Sequence, residues 1–161
     1  MCSSDLVIQR LTRTMLGLTY ARTLATPSTY PDSVFVGPKA VLLDANSGSD
    51  GDIFPWMFRT AKLGPLIGER SWGGVVGISD HGQLIDGGAV NVPEFAYATA
   101  EGQWAVEGHG VDPDLVVEND PKSVIEGHDP QLERGVAELL KALEKSNPKL
   151  PEHAPYPVKL K

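Results

Sequence analysis

The sequence predicts an α/β protein in which central β segments are flanked by helices and a C-terminal amphipathic helix closes the chain. Three observations carry this. An aliphatic run, Ala40-Val41-Leu42-Leu43, stops abruptly at turn residues, and a helical apolar pattern begins beyond them. Short strand-like runs punctuated by glycine fill the middle of the chain. Near the end, Leu132, Val136, Leu139, Leu140 and Leu143 recur at helical spacing behind Asp129 and Pro130, residues suited to the N-cap and first helical positions.

In chain order, Ser4-Asp5 is a cap for a first helix in which Leu6, Val7, Leu11, Met15 and Leu18 share one face. Residues 17–38 are rich in Thr, Ser, Pro and Gly and read as a long connection. A buried strand is expected over 39–44 and a helix from about Asp52 to Leu63, with Asp52 or Asp50 as N-cap and Pro55 in the first turn. Strand-like runs follow at 66–68, 75–78, 83–85 and 89–95. Gly73-Gly74, Asp80-His81-Gly82 and Asp86-Gly87-Gly88 are the expected reversals between them. Residues 104–114 are loop-rich, Leu115-Val116-Val117 is a short strand, and Asn119-Asp120-Pro121 opens a helical turn. Beyond Asn147, the prolines of the tail exclude helix and central strand, so an extended arm lying on another surface is expected.

A chain of 161 residues, 41% hydrophobic, is large enough for one domain with a real core. Its net charge of −7 and the lack of a basic stripe oppose nucleic-acid binding, which requires clustered Lys and Arg to neutralise phosphates. The single cysteine, Cys2, excludes an intrachain disulfide and a cysteine-rich zinc site. No run has the length of a membrane span and the N-terminus lacks a signal-peptide core, so a soluble chain, cytoplasmic by preference, is expected. No phosphate loop, zinc spacing or calcium-loop pattern occurs, and neither cofactor nor metal is expected.

The chemistry is concentrated at residues 40–56. A serine on a strand-to-helix turn is exposed at a sheet edge, beside free backbone N–H groups and the positive end of a helix dipole. Those are the conditions a nucleophilic serine needs. The competing reading is that Ser47 and Ser49 only cap a helix. The G-x-S-x-G elbow is missed, because position 47 is serine.

Several stretches form an ordered series of motifs. They include Ser47-Gly48-Ser49-Asp50-Gly51-Asp52-Ile53-Phe54-Pro55, Ile67-Gly68-Glu69-Arg70-Ser71-Trp72-Gly73-Gly74-Val75-Val76-Gly77 and Leu84-Ile85-Asp86-Gly87-Gly88. Val92-Pro93-Glu94-Phe95, Trp104-Ala105-Val106-Glu107, Gly110-Val111-Asp112-Pro113-Asp114 and Asp129-Pro130-Gln131-Leu132-Glu133 continue the series. In their order and spacing these stretches together resemble the C-terminal catalytic half of a tricorn-like, tail-specific serine peptidase. The resemblance implies a ClpP/crotonase-like catalytic domain, partial here, over residues 1–147, with 148–161 as the arm. It implies Ser49 as nucleophile, the Asp50 backbone N–H as an oxyanion-hole donor, and Glu107 as the acidic member that orients a histidine base through a second serine. Peptide substrates and homo-oligomers are likewise implied.

This chain departs from that pattern in two places. The family's histidine base lies upstream of the nucleophile, whereas His81, His109, His128 and His153 all follow Ser49. The Gly-rich strand end that supplies a second oxyanion donor is replaced by Met1-Cys2-Ser3. The expectation is therefore a nucleophile-bearing piece, inactive or weakly active alone, whose partner is a complementary N-terminal half. The alternative is a non-catalytic assembly module that keeps the peptidase fold. Two local ideas rank lower: rescue by His109, if strand alternation put it beside Glu107, and a metal on Glu107, His109 and Asp112.

Overall fold

A computed structural model describes residues 3–146 and 148–158. Three short parallel strands, β3 (Val41–Leu43), β4 (Leu66–Gly68) and β7 (Leu115–Val116), form the central sheet in the order β3-β4-β7. Val41 pairs with Leu66 and Ile67 with Leu115. The connections put helices on both faces, as parallel pairing requires. α1 (Ser3–Leu11) packs on α2 (Asp50–Thr60), which lies against β3 on one face, and α4 (Pro130–Lys145) crosses β3 and β4 on the other.

Side-chain alternation along β3 sorts the packing. Val41 and Leu43 face the main core with Phe58, Leu66, Val75, Val106 and Val111. Leu42 points the other way, towards Gly135 of α4. Pro55 and Phe58 of α2 are buried, and Ile8 and Leu11 of α1 close the same cluster. α3 (Pro121–Ile125) starts where Asp120 accepts from the Ser123 N–H, and α4 where Asp129 accepts from the Leu132 N–H.

The chain differs from expectation at several places, among them residues 84–85, which lie in a turn and not in the strand expected over 83–85. α1 ends at Leu11, with Thr12 still bonded to the Ile8 carbonyl through its N–H and its hydroxyl, both at 2.9 Å. Leu18 then lies in β1 (Gly17–Thr19), which pairs antiparallel with β2 (Ser28–Tyr30) inside the stretch expected to be a plain connection. Asp80-His81-Gly82 is no reversal but an irregularity within β5 (Gly77–Gln83), whose partner is β6 (Ala89–Phe95). The hairpin turns at residues 84–88, where Asp86 Oδ1 accepts from Gly88 N–H and Leu84 N–H donates to the Gly88 carbonyl. Gly73-Gly74 makes no hairpin either; it runs across the Glu107 turn, as set out below.

The proline-rich tail lies against the β1–β2 hairpin. The Tyr20 hydroxyl donates to the Pro151 carbonyl, the His153 ring sits 5.2 Å from Tyr20 and 4.6 Å from Tyr156, and Arg22 lies over Tyr156. Asn147 and residues 159–161 fall outside the described residues.

Candidate active site

The turn after β3 separates the two candidate serines. Ser47 Oγ donates to Asp44 Oδ1 at 2.9 Å and accepts from the Asp44 N–H at 3.0 Å, so its hydroxyl is consumed in closing the turn. That hydroxyl is the main reason the Asp44 carboxyl is held below its ordinary value, with the Asn46 side chain adding to it. Ser49 is exposed, its side chain caps nothing, and its backbone is held at φ 55°, ψ −111°. Only a few per cent of non-glycine residues have positive φ, and this ψ lies outside the left-handed helical well.

Ser49 also occupies the N-cap position of α2, where Asp50 or Asp52 was expected. Asp50 is the first helical residue, and its N–H meets no acceptor among the described residues. The donor is thus free beside an exposed hydroxyl at the positive end of the helix. Asp52 has turned inward. It is 0% exposed, and its Oδ1 accepts from the Gly73 N–H at 2.8 Å, while Oδ2 has no partner among the described residues.

Residues 73–76 form a strip bonded to Asp52, Ser49 and Glu107. Ser49 N–H donates to the Gly74 carbonyl at 3.1 Å. The next N–H groups, of Val75 and Val76, both donate to Glu107 Oε2, at 2.7 and 2.8 Å. One peptide unit, between Gly74 and Val75, therefore bonds Ser49 on its carbonyl side and Glu107 on its N–H side. Gly108 N–H completes the lacing onto the Gly73 carbonyl at 2.8 Å. Glycine is required at 73: φ is +85°, and a Cβ there would fall 2.4 Å from the Gly110 nitrogen.

The histidines are engaged elsewhere. His81 Nε2 lies 2.6 Å from Glu94 on the β5–β6 hairpin, His109 Nε2 2.9 Å from Asp112, and His128 Nδ1 3.0 Å from Glu133. His153 Nδ1 bonds the Ala154 carbonyl in the tail. Residues 106–110 are a tight turn, with Val106 at φ 75° and the His109 and Gly110 N–H groups both on the Val106 carbonyl, so strand alternation does not pair His109 with Glu107. Asp112 is held below its ordinary carboxylate range chiefly by the hydrogen bond from His109, with Arg70 and Arg59 adding to it. Glu107, His109 and Asp112 do not converge on a common point, and no other group of three metal-ligating residues occurs among the described residues.

Sequence reasoning missed two features of this region. Asp52 was read only as a cap, although an aspartate three residues past the turn serine can equally fold back onto a neighbouring loop. Trp72 was read only as part of a motif. Its indole lies so close over the turn that a Cβ at Gly48 or Gly74 would fall 2.7 or 2.6 Å from the ring, yet Trp72 is 70% exposed.

Ser49 is thus exposed and strained on the turn that follows a parallel strand, with the Asp50 N–H unpaired beside it among the described residues. The family model described as Peptidase family S41 matches residues 7–117, and the chain belongs to that family. It is 42% identical over 149 residues to the tricorn protease of Thermoplasma volcanium, covering 92% of this chain and 14% of that protein. It is 38% identical over 153 residues to tricorn protease homolog 1 of Streptomyces coelicolor, covering 95% and 14%. A crystal structure of the tricorn protease superposes with a TM-score of 0.80 at 39% identity, over 88% of this chain and 14% of that one. The mixed α/β fold is thus that of the tricorn-type S41 peptidases, and this chain spans about 14% of the length of the relatives named.

Proposed function

We propose that this chain is the nucleophile-bearing part of a serine endopeptidase acting on peptides or unfolded polypeptides. The observation that carries the reading is Ser49: an exposed hydroxyl on a strained backbone at the carboxyl end of β3, in a chain of a peptidase family. In this reading Ser49 Oγ attacks the scissile carbonyl and the Asp50 N–H donates to the oxygen as it becomes anionic. One such donor contributes about 2.7–4 kcal/mol to the transition state. Glu107 is the acidic member, and its link to Ser49 through the Gly74–Val75 peptide supports a fixed spacing in which a relay group can sit.

The proton acceptor comes from outside the described residues, because all four histidines are committed to other partners. A partner segment that carries an uncommitted histidine supplies it. In the same reading the architecture is of the ClpP/crotonase type, with residues 1–147 as the catalytic domain and 148–161 as an arm. Fluorophosphonate labelling followed by peptide mapping tests the assignment. Slow labelling at Ser49 that vanishes in Ser49→Ala is expected, since an unassisted serine is a poor nucleophile. Rapid labelling at Ser49 refutes the external base, and labelling confined to other residues refutes the nucleophile. A second reading, an assembly module without catalysis, is favoured by the β5–β6 hairpin, which exposes Ile78, Ile85 and Phe95 and packs chiefly on itself. A strict monomer by light scattering counts against that second reading.

A further inference from the structure

Beside the Ser49 turn, at the carboxyl ends of β3 and β4, lies a cavity of about 330 Å³ lined by Ala45, Arg70, Ser71, Trp72, Gly108 and His109. We propose that this cavity is a subsite for a carboxylate-bearing residue of a peptide, held by the Arg70 guanidinium with its apolar stem against the Trp72 indole. The proposal rests on the peptidase reading and names the chemistry of what binds next to its nucleophile.

Position comes first. In open parallel sheets, ligands bind outside the carboxyl ends of the strands, and the lining residues 45 and 70–72 directly follow β3 and β4. The cavity is also tied to the reacting turn: Trp72 N–H donates to the Ser47 carbonyl at 2.9 Å, and the Trp72 ring lies over Gly48 and Gly74, on either side of the Ser49–Gly74 hydrogen bond. The Trp72 side chain thus borders both the cavity and the turn that carries Ser49.

Charge comes second. The ionisable lining residues are Arg70 and His109, and the Arg70 guanidinium favours an anion. Asp112 is the carboxylate facing them; it takes the His109 Nε2 at 2.9 Å but stands 4.0 Å from Arg70 Nε. The Arg70 guanidinium makes no hydrogen bond among the described residues, whereas Arg59 close by donates to both the Asp112 carbonyl and Asp114 Oδ1. An unspent guanidinium fork matches a carboxylate bidentately.

Shape comes third. Ser71 is buried and its hydroxyl accepts from Val111 N–H, so the cavity floor is rigid. Trp72 offers a flat apolar face and an indole N–H that has no partner among the described residues. An aliphatic stem ending in a carboxylate uses both features, whereas a cationic side chain would meet Arg70 head-on.

Two sources carry the same group: an acidic side chain within a peptide, or a free peptide C-terminus. The full chain is titrated by calorimetry and by amide shifts of Gly48 and Gly108. The probes are an acetylated peptide amide carrying one glutamate, its glutamine counterpart, an acetylated alanine peptide with a free C-terminus, and its amide. One carboxylate probe is expected to bind about tenfold more tightly than its neutral counterpart, and the pair that shows the preference identifies the source. Arg70→Gln abolishes the preference without unfolding the chain, since Arg70 forms only one distant, exposed ion pair. Trp72→Ala weakens charged and neutral probes alike. Equal binding of charged and neutral probes, no binding by any probe, or a preference that survives Arg70→Gln overturns the proposal. Titration of Ser49→Ala is expected to match wild type, so a failed labelling experiment with intact binding removes the nucleophile and leaves this subsite standing.

Discussion

Ser49 holds an uncommon backbone conformation, and the strain can be measured by replacing it with alanine and with glycine. Its side chain is exposed and makes no capping bond, so Ser49→Ala removes no contact and leaves stability nearly unchanged. Alanine keeps the Cβ, and with it the penalty of φ 55°, ψ −111°. A non-glycine residue held in such a region costs about 1–3 kcal/mol. Glycine relieves that cost but adds about 0.4–1 kcal/mol of unfolded-state entropy. The difference predicts that Ser49→Gly is more stable than Ser49→Ala by about 0.5–2 kcal/mol, or a Tm higher by about 2–4 °C per kcal/mol for a domain of this size. Urea and thermal unfolding of the three proteins read the difference directly. A glycine variant no more stable than the alanine variant refutes the claim that strain is stored at the turn. The strain would then have to be sought elsewhere in the site.

Two further predictions follow from the same region. Asp52→Ala leaves the buried Gly73 N–H without its acceptor and is expected to destabilise the chain by about 1–3 kcal/mol, while Asp52→Asn keeps an acceptor oxygen and costs less; equal urea midpoints for the two would show that the bond is dispensable. Asp44 is held below its ordinary value by Ser47 and Asn46, so the folded state takes up a proton less readily than the unfolded chain. Its contribution is present above the unfolded carboxylate value of about 3.9 and is lost as the pH falls from there through the lowered folded value. Asp44→Asn should remove that part of the acid dependence in urea midpoints measured across this range, and an unchanged profile would rule the Asp44–Ser47 turn out as its source.

Local pattern alone located the Ser49 turn to within a few residues. The aliphatic run of β3 cannot continue into Asn46-Ser47-Gly48, and the apolar face from Ile53 to Phe58 needs a helix, so a strand-to-helix turn at 44–50 is dictated by neighbours in sequence. The Asp120-Pro121 start of α3 was legible for the same reason, since a cap bond spans only three residues. The α1 end was not, because the helical spacing runs on to Leu18, which the structure instead pairs with Thr29.

What the sequence determined by itself was the class of fold and the turn bearing Ser47 and Ser49, which depend on periodicity and turn chemistry, and the family resemblance, which alone implied Glu107. The resemblance singled out Ser49, and the tertiary structure supplied the physical difference, with Ser47 spent on Asp44 and Ser49 held strained and free. That structure alone joined Ser49 to Glu107 through the Gly74–Val75 peptide, buried Asp52 against Gly73, and laid Trp72 over the turn. Those relations link residues tens of positions apart. They arise when the parallel sheet brings the ends of β3 and β4 together, and no local propensity encodes that approach.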